Sequence, residues 1–273
     1  MRNPWSLARS WAYASYHGAV EPLRHAWRHR RLILMLARRD IAGRTSGTVL
    51  GAGWLLLAPG LQIFGFWFLL DVVMKIRYNG GLTFLDYFLI GMLNWFFISE
   101  VLSRSLTVYH EFASIYQRTP FPLAILPLVP LSMAGLIYAL VTGLVSGLVA
   151  GWAAVPLALL NIAVLALWLI PLCYLLSVIG VFVKDLGQIF PFFISLVMYL
   201  TPILYTPDKL PDTLQWLLVI NPVADLMALI HATIQDLPWT AANVWRPLLC
   251  WLLLIGPAWA LFRRAEGHIR EML

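Results

Sequence analysis

The chain has 273 residues, of which 61% are hydrophobic and 12% charged, and its mean hydropathy is +0.79. A soluble domain of this length does not carry so much apolar surface, so these values indicate an integral membrane protein. The apolar residues form long continuous runs, which exclude a transmembrane β-barrel and predict an all-α polytopic fold. The net charge of +6 does not indicate nucleic-acid binding, because nine of the 19 basic residues, all arginine, precede residue 48 and adjoin apolar segments.

Residues 1–47 form a basic and aromatic segment that precedes the first apolar run. Between residues 22 and 41, apolar side chains recur at helical spacing and most arginines fall on the other side. This pattern predicts an amphipathic helix in the membrane interface, with its arginines toward lipid head groups. A solvated basic tail is the alternative. The apolar positions of this predicted helix are Leu23, Ala26, Trp27, Leu34, Ala37 and Ile41.

Six apolar runs predict six transmembrane helices within a transmembrane domain at 48–262, followed by a tail at 263–273. The predicted spans are 49–70, 84–108, 123–151, 155–183, 186–205 and 245–262. An even number of crossings places both termini on one side of the membrane. Fifteen of the 19 basic residues then lie on that side and four on the other. The positive-inside rule therefore predicts that both termini are cytoplasmic, in an inner-membrane protein.

The second predicted span is the most polar of the six. Glu100 and Arg104 lie four residues apart, the spacing that places them on one helix face and favours an intramembrane ion pair. Ionisable groups within a membrane are by default candidates for function. The alternative is that the two charges only neutralise each other near the cytoplasmic boundary.

Two charged loops lie on the predicted cytoplasmic side. Residues 109–118 predict a short helix parallel to the membrane, which Pro120 and Pro122 end because proline lacks the backbone donor. This helix is either a docking element for a partner or an ordinary surface turn. Lys184 and Asp185 form the second loop, a tight charged turn between spans four and five.

The far end of the fifth span is interrupted by prolines at positions 202, 207, 211 and 222. Irregular backbone at membrane depth is tolerated only where protein or a water-filled cavity satisfies its polar groups. The segment therefore predicts a passage or the gate of one. Two short amphipathic pieces, 212–220 and 223–234, follow before the sixth span.

Aromatic residues are dense in the first, second and fifth spans. They are either interfacial anchors or the wall of a pathway in which flat aromatic faces contact sugar rings. The candidate pathway residues are Phe64, Trp67, Phe68, Tyr87, Trp95, Tyr199 and Tyr205.

The residues predict no catalytic, nucleotide or metal site. None of the three lysines has the neighbours of a Walker A loop. His110 and Glu111 begin a zinc-protease pattern, but Ser114 occupies the position of the second histidine ligand.

Taken in order, these segments resemble the membrane subunit of type-2 ABC exporters of lipid-linked polysaccharides such as O-antigen, capsule or teichoic acid. The resemblance covers nearly the whole chain. It rests on RRDIAGRTSGTVLGAGW at 38–54, GMLNWFFISEVLSRS at 91–105, YQRTPFPLAILP at 116–127, VFVKDLGQI at 181–189, TPILY at 201–205 and the NP pair at 221–222. Two details depart from the family pattern: Lys184 stands where arginine is usual, and Gly43, Arg44 and Thr45 replace the usual basic start of the first span.

The resemblance implies two copies of this chain bound to two ATPase subunits, which hold ATP and magnesium, with a pathway between the copies. Residues 110–119 resemble the coupling helix that seats in the ATPase, and the turn at 184–185 resembles a second, smaller contact. The helices within 208–236 resemble gate helices over the outer exit. The implied coupling residues are His110, Glu111, Tyr116, Gln117, Arg118, Lys184 and Asp185. The implied gate residues are Pro202, Pro207, Trp216, Asn221 and Pro222.

Three other functions fit parts of the pattern. A type-2 exporter of a small drug or lipid has the same topology and less need of an aromatic pathway. A membrane-bound glycosyltransferase or acyltransferase requires a carboxylate or histidine cluster at one loop, whereas the acidic residues here are scattered. A non-catalytic membrane scaffold predicts that changes in the broken fifth span and in the charged docking loop have no effect.

Overall fold

A computed structural model of the chain describes residues 4–75, 84–116 and 121–272, apart from the side chains of residues 4–15, 44, 45, 52 and 116. Within these ranges the fold is helical and contains no β-strand. The α-helices are α1 (Pro4–Arg28), α2 (Arg30–Thr45), α3 (Trp54–Trp67), α4 (Phe84–Ser105), α5 (Val108–Glu111), α6 (Ala113–Tyr116), α7 (Leu128–Val149), α8 (Val155–Phe182), α9 (Leu186–Leu200), α10 (Trp216–Ile220), α11 (Pro222–Gln235) and α12 (Ala242–Met272). A π-helical stretch, Phe68–Val73, extends α3.

The basic N-terminal segment is two helices rather than one. The predicted single helix over 22–41 is wrong, because the chain breaks at His29 between α1 and α2. The predicted apolar face is not buried as one surface, because Leu23 and Leu34 are exposed and Ala37 is buried. Trp27 is 73% exposed, whereas Ile33 and Leu36 are buried. α1 packs along α12 and α2 packs against α7, so both helices are joined to the bundle.

Five helical segments among the described residues are long and apolar enough to cross a membrane. They are Trp54–Val73, Phe84–Ser105, Leu123–Val149, Trp152–Phe182 and Ala242–Met272. The predicted fifth span contains only the 15 residues of α9. At 1.5 Å per residue this helix is about 22 Å long, which is shorter than the ~30 Å hydrocarbon core.

The segment that contains α9 nevertheless runs from one end of the bundle to the other. It begins just after α8. The Gly180 carbonyl near the end of α8 lies 3.3 Å from His110 Nε2, and His110 follows the C-terminal end of α4 closely in the chain. It ends at Pro202, whose carbonyl accepts a hydrogen bond of 2.8 Å from Tyr87 in the first turn of α4. Since α4 spans the bundle, the segment crosses it as well. We call the end with the C-termini of α4 and α8 the basic end, after Arg104 and Lys184, and the opposite end the far end.

The last helix extends beyond the predicted sixth span. α12 continues to Met272, so the expected tail is helical in the residues that the structure describes. The guanidinium of Arg270 donates a hydrogen bond of 2.7 Å to the Phe121 carbonyl, which attaches this extension to the bundle.

The core lies among α4, α7, α8, α11 and α12, which pack against one another. In α7, Gly143 and Gly147 face α8 and the turn before it, and a Cβ on Gly147 would come within 2.8 Å of the Trp152 ring. The helices therefore approach closely at these glycines, as small residues permit between helices in lipid. α3 and α9 are peripheral, and the main helix against which each packs is α4.

Candidate functional site

The basic end is organised around the buried guanidinium of Arg104, at the last turn of α4. Its Nη1 and Nη2 donate to the two carboxylate oxygens of Asp40 in α2, a bidentate arrangement. Its Nη2 also donates to Glu111 Oε2 of α5 at 2.8 Å. The side chains of Arg104 and Asp40 are 9% and 10% exposed. We call these three residues the Arg104 cluster, which joins the N-terminal segment, a transmembrane helix and the predicted docking loop.

Glu100 is an electrostatic neighbour of Arg104, as the predicted intrahelical pair requires, but the structure adds contacts that the helical spacing did not predict. The hydrogen bonds of the guanidinium go to carboxylates of two other helices, and one of them, Asp40, is 64 residues away in the chain. Helical spacing identifies neighbours on one helix, but it does not reveal carboxylates that a different helix brings closer.

The predicted docking loop forms two single-turn helices, α5 and α6, rather than one helix over 109–118. His110 and Glu111 both face the bundle, through Gly180 and the Arg104 cluster. Ser114, Lys184 and Asp185 are exposed beside them. The side chain of Tyr116 and the whole of Gln117 and Arg118 lie outside the described residues.

Lys184 and Asp185 share a surface depression with His110. This depression has a volume of about 420 Å³ and also includes Met272 at the end of α12. The two parts of the predicted coupling surface therefore lie together at the basic end, although His110 and Lys184 are 74 residues apart in the chain. The arrangement offers a shallow polar surface to a partner and contains no catalytic constellation among these residues.

Aromatic side chains of α3 and α9 point away from the bundle. Phe64, Phe68 and Tyr199 are 58%, 50% and 54% exposed. Trp67 is half-buried, and its Nε1 donates to Asp71 Oδ2 at 3.2 Å. One side of α9 is buried and carries Phe190, Ile194 and Met198, whereas the opposite side is exposed. The exposed large residues of α9 are Ile189, Phe192, Phe193, Leu196 and Tyr199.

Two other predicted pathway residues lie in the core. Trp95 and Tyr87 are each 3% exposed, so neither belongs to the outward-facing aromatic surface of this chain. The sequence did not separate them from the α3 and α9 aromatics, because aromatic residues within an apolar span can face either the bundle or its outside. Tyr205 is half-buried, and its carbonyl lies 3.5 Å from the Tyr87 hydroxyl.

The predicted gate is a bent pair of helices attached to the end of α9. The segments Asp212–Ile220 and Pro222–Gln235 meet at 90°. Asn221 stands at the bend, where its Oδ1 caps α11 by accepting from Val223 N at 3.0 Å. Its Nδ2 donates to Thr201 Oγ1 at 2.9 Å, which links the bend to the chain just after α9. Pro222 fits the first turn of α11, and Trp216, 54% exposed, begins α10.

The helix α9 ends at Leu200, before Pro202, and the following chain turns. Pro202 therefore lies in the non-helical outer end of the predicted fifth span, where the sequence predicts that prolines interrupt it. Its carbonyl remains satisfied through Tyr87, as irregular backbone at membrane depth requires.

A cavity of about 500 Å³, the far-end cavity, lies between the chain after α9, the bent pair and the start of α12. Its residues include Tyr87, Pro202, Pro207, Asp208, Leu218, Asp225, His231, Pro238, Trp239, Thr240, Asn243 and Arg246. Asp225 is 3% exposed, and its Oδ1 accepts from Asn243 Nδ2 at 2.7 Å and lies 3.6 Å from Arg246 Nη1. The rings of His231 and Tyr87 stack with centroids 4.0 Å apart.

No pattern in the sequence predicts the far-end cavity. Asp225, His231 and Arg246 are single polar residues in apolar segments, and they come from α11 and α12. The only signal available was that ionisable residues in such segments are unusual and therefore candidates for function.

Residues 31–234 match the family described as ABC-2 type transporter. The match includes the Arg104 cluster, α3, α9 and the bent helix pair. This chain belongs to the ABC-2 type transporter family.

Curated proteins that resemble this ABC-2 chain are O-antigen export system permease proteins RfbA. One from Klebsiella pneumoniae is 25% identical over 208 residues, which cover 72% of this chain and 77% of that protein. A second from the same organism is 25% identical over 202 residues. The Myxococcus xanthus protein is 26% identical over 224 residues, covering 80% of this chain and 85% of that protein.

Family membership and the apolar helices identify the chain as a multi-pass membrane subunit of a transporter. The predicted all-α fold and the resemblance to type-2 ABC exporters are confirmed. Within this ABC-2 chain, the candidate site comprises the basic end, the exposed aromatic surface of α3 and α9, and the predicted gate and the cavity of the far end.

Proposed function

We propose that this ABC-2 chain is the permease subunit of an exporter that moves a lipid-linked polysaccharide, of O-antigen or capsular type, across the cytoplasmic membrane. The observation that carries the proposal is similarity to O-antigen export permeases over most of the chain. The exposed aromatic surface of α3 and α9 supports it, because flat rings provide apolar contact with few fixed hydrogen bonds. Such a surface suits a polymer that must slide.

The polymer's pathway forms between two copies of the chain. In the span of α3 none of the most apolar window is buried within one chain, whereas 72% of the α4 window is buried. α3 and α9 thus have the surface that a second copy can cover. Lipid covers whatever remains.

Cysteine cross-linking tests this pairing. In a Cys250→Ser background, which leaves only the buried Cys173, Phe68→Cys and Tyr199→Cys should each cross-link two copies in native membranes. Leu140→Cys, on an exposed site of α7 that is 76% accessible, is the control and should remain uncross-linked. Cross-linking at Leu140 alone would place the second copy on the wrong side of the bundle for this proposal.

Two ATPase subunits bind at the basic end. They hold ATP and magnesium, and hydrolysis of the ATP supplies the energy for export. The exposed pair Lys184 and Asp185 and the adjoining α5–α6 loop support this assignment. The basic end is then cytoplasmic, together with both termini, in agreement with the charge asymmetry of the sequence.

Deletion of the gene tests the exporter function. Cells should lose surface polysaccharide and accumulate its lipid-linked form inside. The wild-type chain should restore export, whereas K184E with D185K should not. Lys75→Glu, an exposed charge change outside the predicted coupling surface, pathway and gate, is the control and should restore it. Unchanged surface polysaccharide after deletion would refute polysaccharide export and favour a small lipid or drug as cargo.

A further inference from the structure

We propose that the far-end cavity binds one sugar unit of the polymer within a single chain. This inference rests on the proposed function for the identity of the cargo. It assigns the cavity a role separate from the aromatic surface of α3 and α9, since the cavity is lined by α4, the chain after α9, the bent helix pair and the start of α12, all within one chain.

The size and wall of the cavity suit a sugar ring. Its volume of about 500 Å³ falls within the range of ~300–1,000 Å³ typical of small-molecule sites. Flat apolar groups form much of the wall, including Pro207, Pro238 and Trp239, and Trp239 is 57% exposed. A sugar ring presents an apolar C–H face to such groups and polar hydroxyls at its edge. Exposed aromatic rings are amphipathic surfaces suited to that contact.

The charged groups of the cavity favour a neutral, hydroxyl-bearing ligand. Its charged lining residues are Asp208, Asp225 and Arg246. Two carboxylates beside one guanidinium repel an anion such as phosphate. A hydrocarbon chain would bury these groups without hydrogen bonds, at a high desolvation cost. Sugar hydroxyls can both donate to Asp208 and accept from Arg246, so they satisfy both signs of charge.

Asp225 acts as a positioning residue for these contacts. Its Oδ1 holds Asn243 and Arg246 at 2.7 and 3.6 Å, whereas its Oδ2 is enclosed and has no hydrogen-bond partner in the described part of the chain. Arg246 is 28% exposed, so its remaining donors can reach a ligand. The carboxylate thus fixes the direction of the polar groups at the start of α12.

The position of the cavity connects a bound sugar to the gate. Tyr87 and Pro202 form part of its wall, and their hydrogen bond of 2.8 Å fixes the chain after α9. Thr201, next to Pro202, receives the hydrogen bond from Asn221 at the gate bend. A sugar in the cavity therefore contacts the segment that carries the gate.

Isothermal titration of the full chain in lipid nanodiscs tests the proposal. The probes are the polysaccharide of the producing bacterium, freed from lipid by mild acid, and the methyl glycosides of its sugars. We expect saturable binding that Arg246→Gln weakens by about tenfold or more. Trp239→Ala should weaken it by about three- to tenfold. If Arg246→Gln fails to fold, Trp239→Ala still tests the cavity, because Trp239 is exposed and its replacement should leave the fold intact. Lys209→Gln, an exposed charge change outside the cavity lining, should bind as the wild type does.

The outcomes separate this inference from the proposed function. Equal binding by wild type, Trp239→Ala and Arg246→Gln would overturn the cavity assignment. Failure of every saccharide to bind, in a chain whose deletion abolishes surface polysaccharide, would also overturn it while leaving the export function standing. Tighter binding of inorganic phosphate or calcium than of any saccharide would identify an ion site and reject a sugar. The export function itself is tested only by the deletion strain, whose surface polysaccharide would be unchanged if that function were wrong.

Discussion

Replacement of Arg104 by leucine should strongly destabilise the fold at the basic end. The guanidinium holds both oxygens of Asp40 and one oxygen of Glu111. Without it, Asp40 loses the guanidinium that binds both of its oxygens, at a site where its side chain is only 10% exposed. Glu111, at 38% exposure, can turn to water and contributes little to the loss.

The expected magnitude follows from the burial of Asp40. Removal of one partner of a buried ion pair costs about 3–5 kcal/mol. For a chain of this size, 1 kcal/mol changes the melting temperature by roughly 2–4 °C, so Arg104→Leu should lower it by roughly 6–20 °C. Arg104→Lys should lie between wild type and Arg104→Leu, because an ammonium cannot bind both Asp40 oxygens with the planar fork of arginine.

The assay is thermal unfolding of the purified chain in detergent, followed by intrinsic fluorescence. The double variant Arg104→Leu with Asp40→Leu should recover most of the loss, since apolar replacement of both partners of a buried pair is often close to neutral. Arg264→Leu, at an exposed site of α12, is the control and should change the melting temperature little. If Arg104→Leu behaves like Arg264→Leu, or if the double variant is no more stable than Arg104→Leu, the uncompensated-charge explanation is wrong.

Three further predictions concern packing, pH and the exposed aromatics. Gly180→Ala should cost about 1–3 kcal/mol or more in thermal unfolding, because its Cβ would meet the Leu106 backbone well inside the 3.0 Å that real Cβ atoms keep. Gly187→Ala, with no atom within 4 Å of the added carbon, is its matched control, and equal losses would contradict this explanation. Burial lowers the pKa of His25 below its usual 6.5. When α1 is undocked, His25 regains its ordinary pKa and binds a proton at a higher pH than it does in the docked helix. Docking of α1 therefore weakens as the pH falls through about 6.5. Hydrogen exchange in α1, corrected for its intrinsic pH dependence, should rise from about pH 7.5 to 5.5, and His25→Gln should abolish that rise. Tyr199→Leu should slow the appearance of surface polysaccharide without changing the amount of chain in the membrane, and an unaltered rate would make Tyr199 an anchor.

The sequence determined the class of the protein and the approximate course of its chain through the membrane. Apolar length is a local property, so the spans at α4, α7 and α8 could be located to within a few residues. Proline also acts locally, so the break after α9 and the bend at Asn221 and Pro222 could be predicted.

Only the tertiary structure decided which side chains meet. Uniformly apolar helices do not encode their rotation about their own axes, so the sequence could not distinguish buried Trp95 from exposed Phe68. Nor could it pair Arg104 with Asp40, because that contact depends on how α2 lies beside α4. The far-end cavity depends on the same kind of arrangement, since its groups come from helices that are distant in the chain. Hydrophobic patterning thus located the membrane spans, and the packing of those spans assembled the charged cluster, the aromatic surface and the cavity.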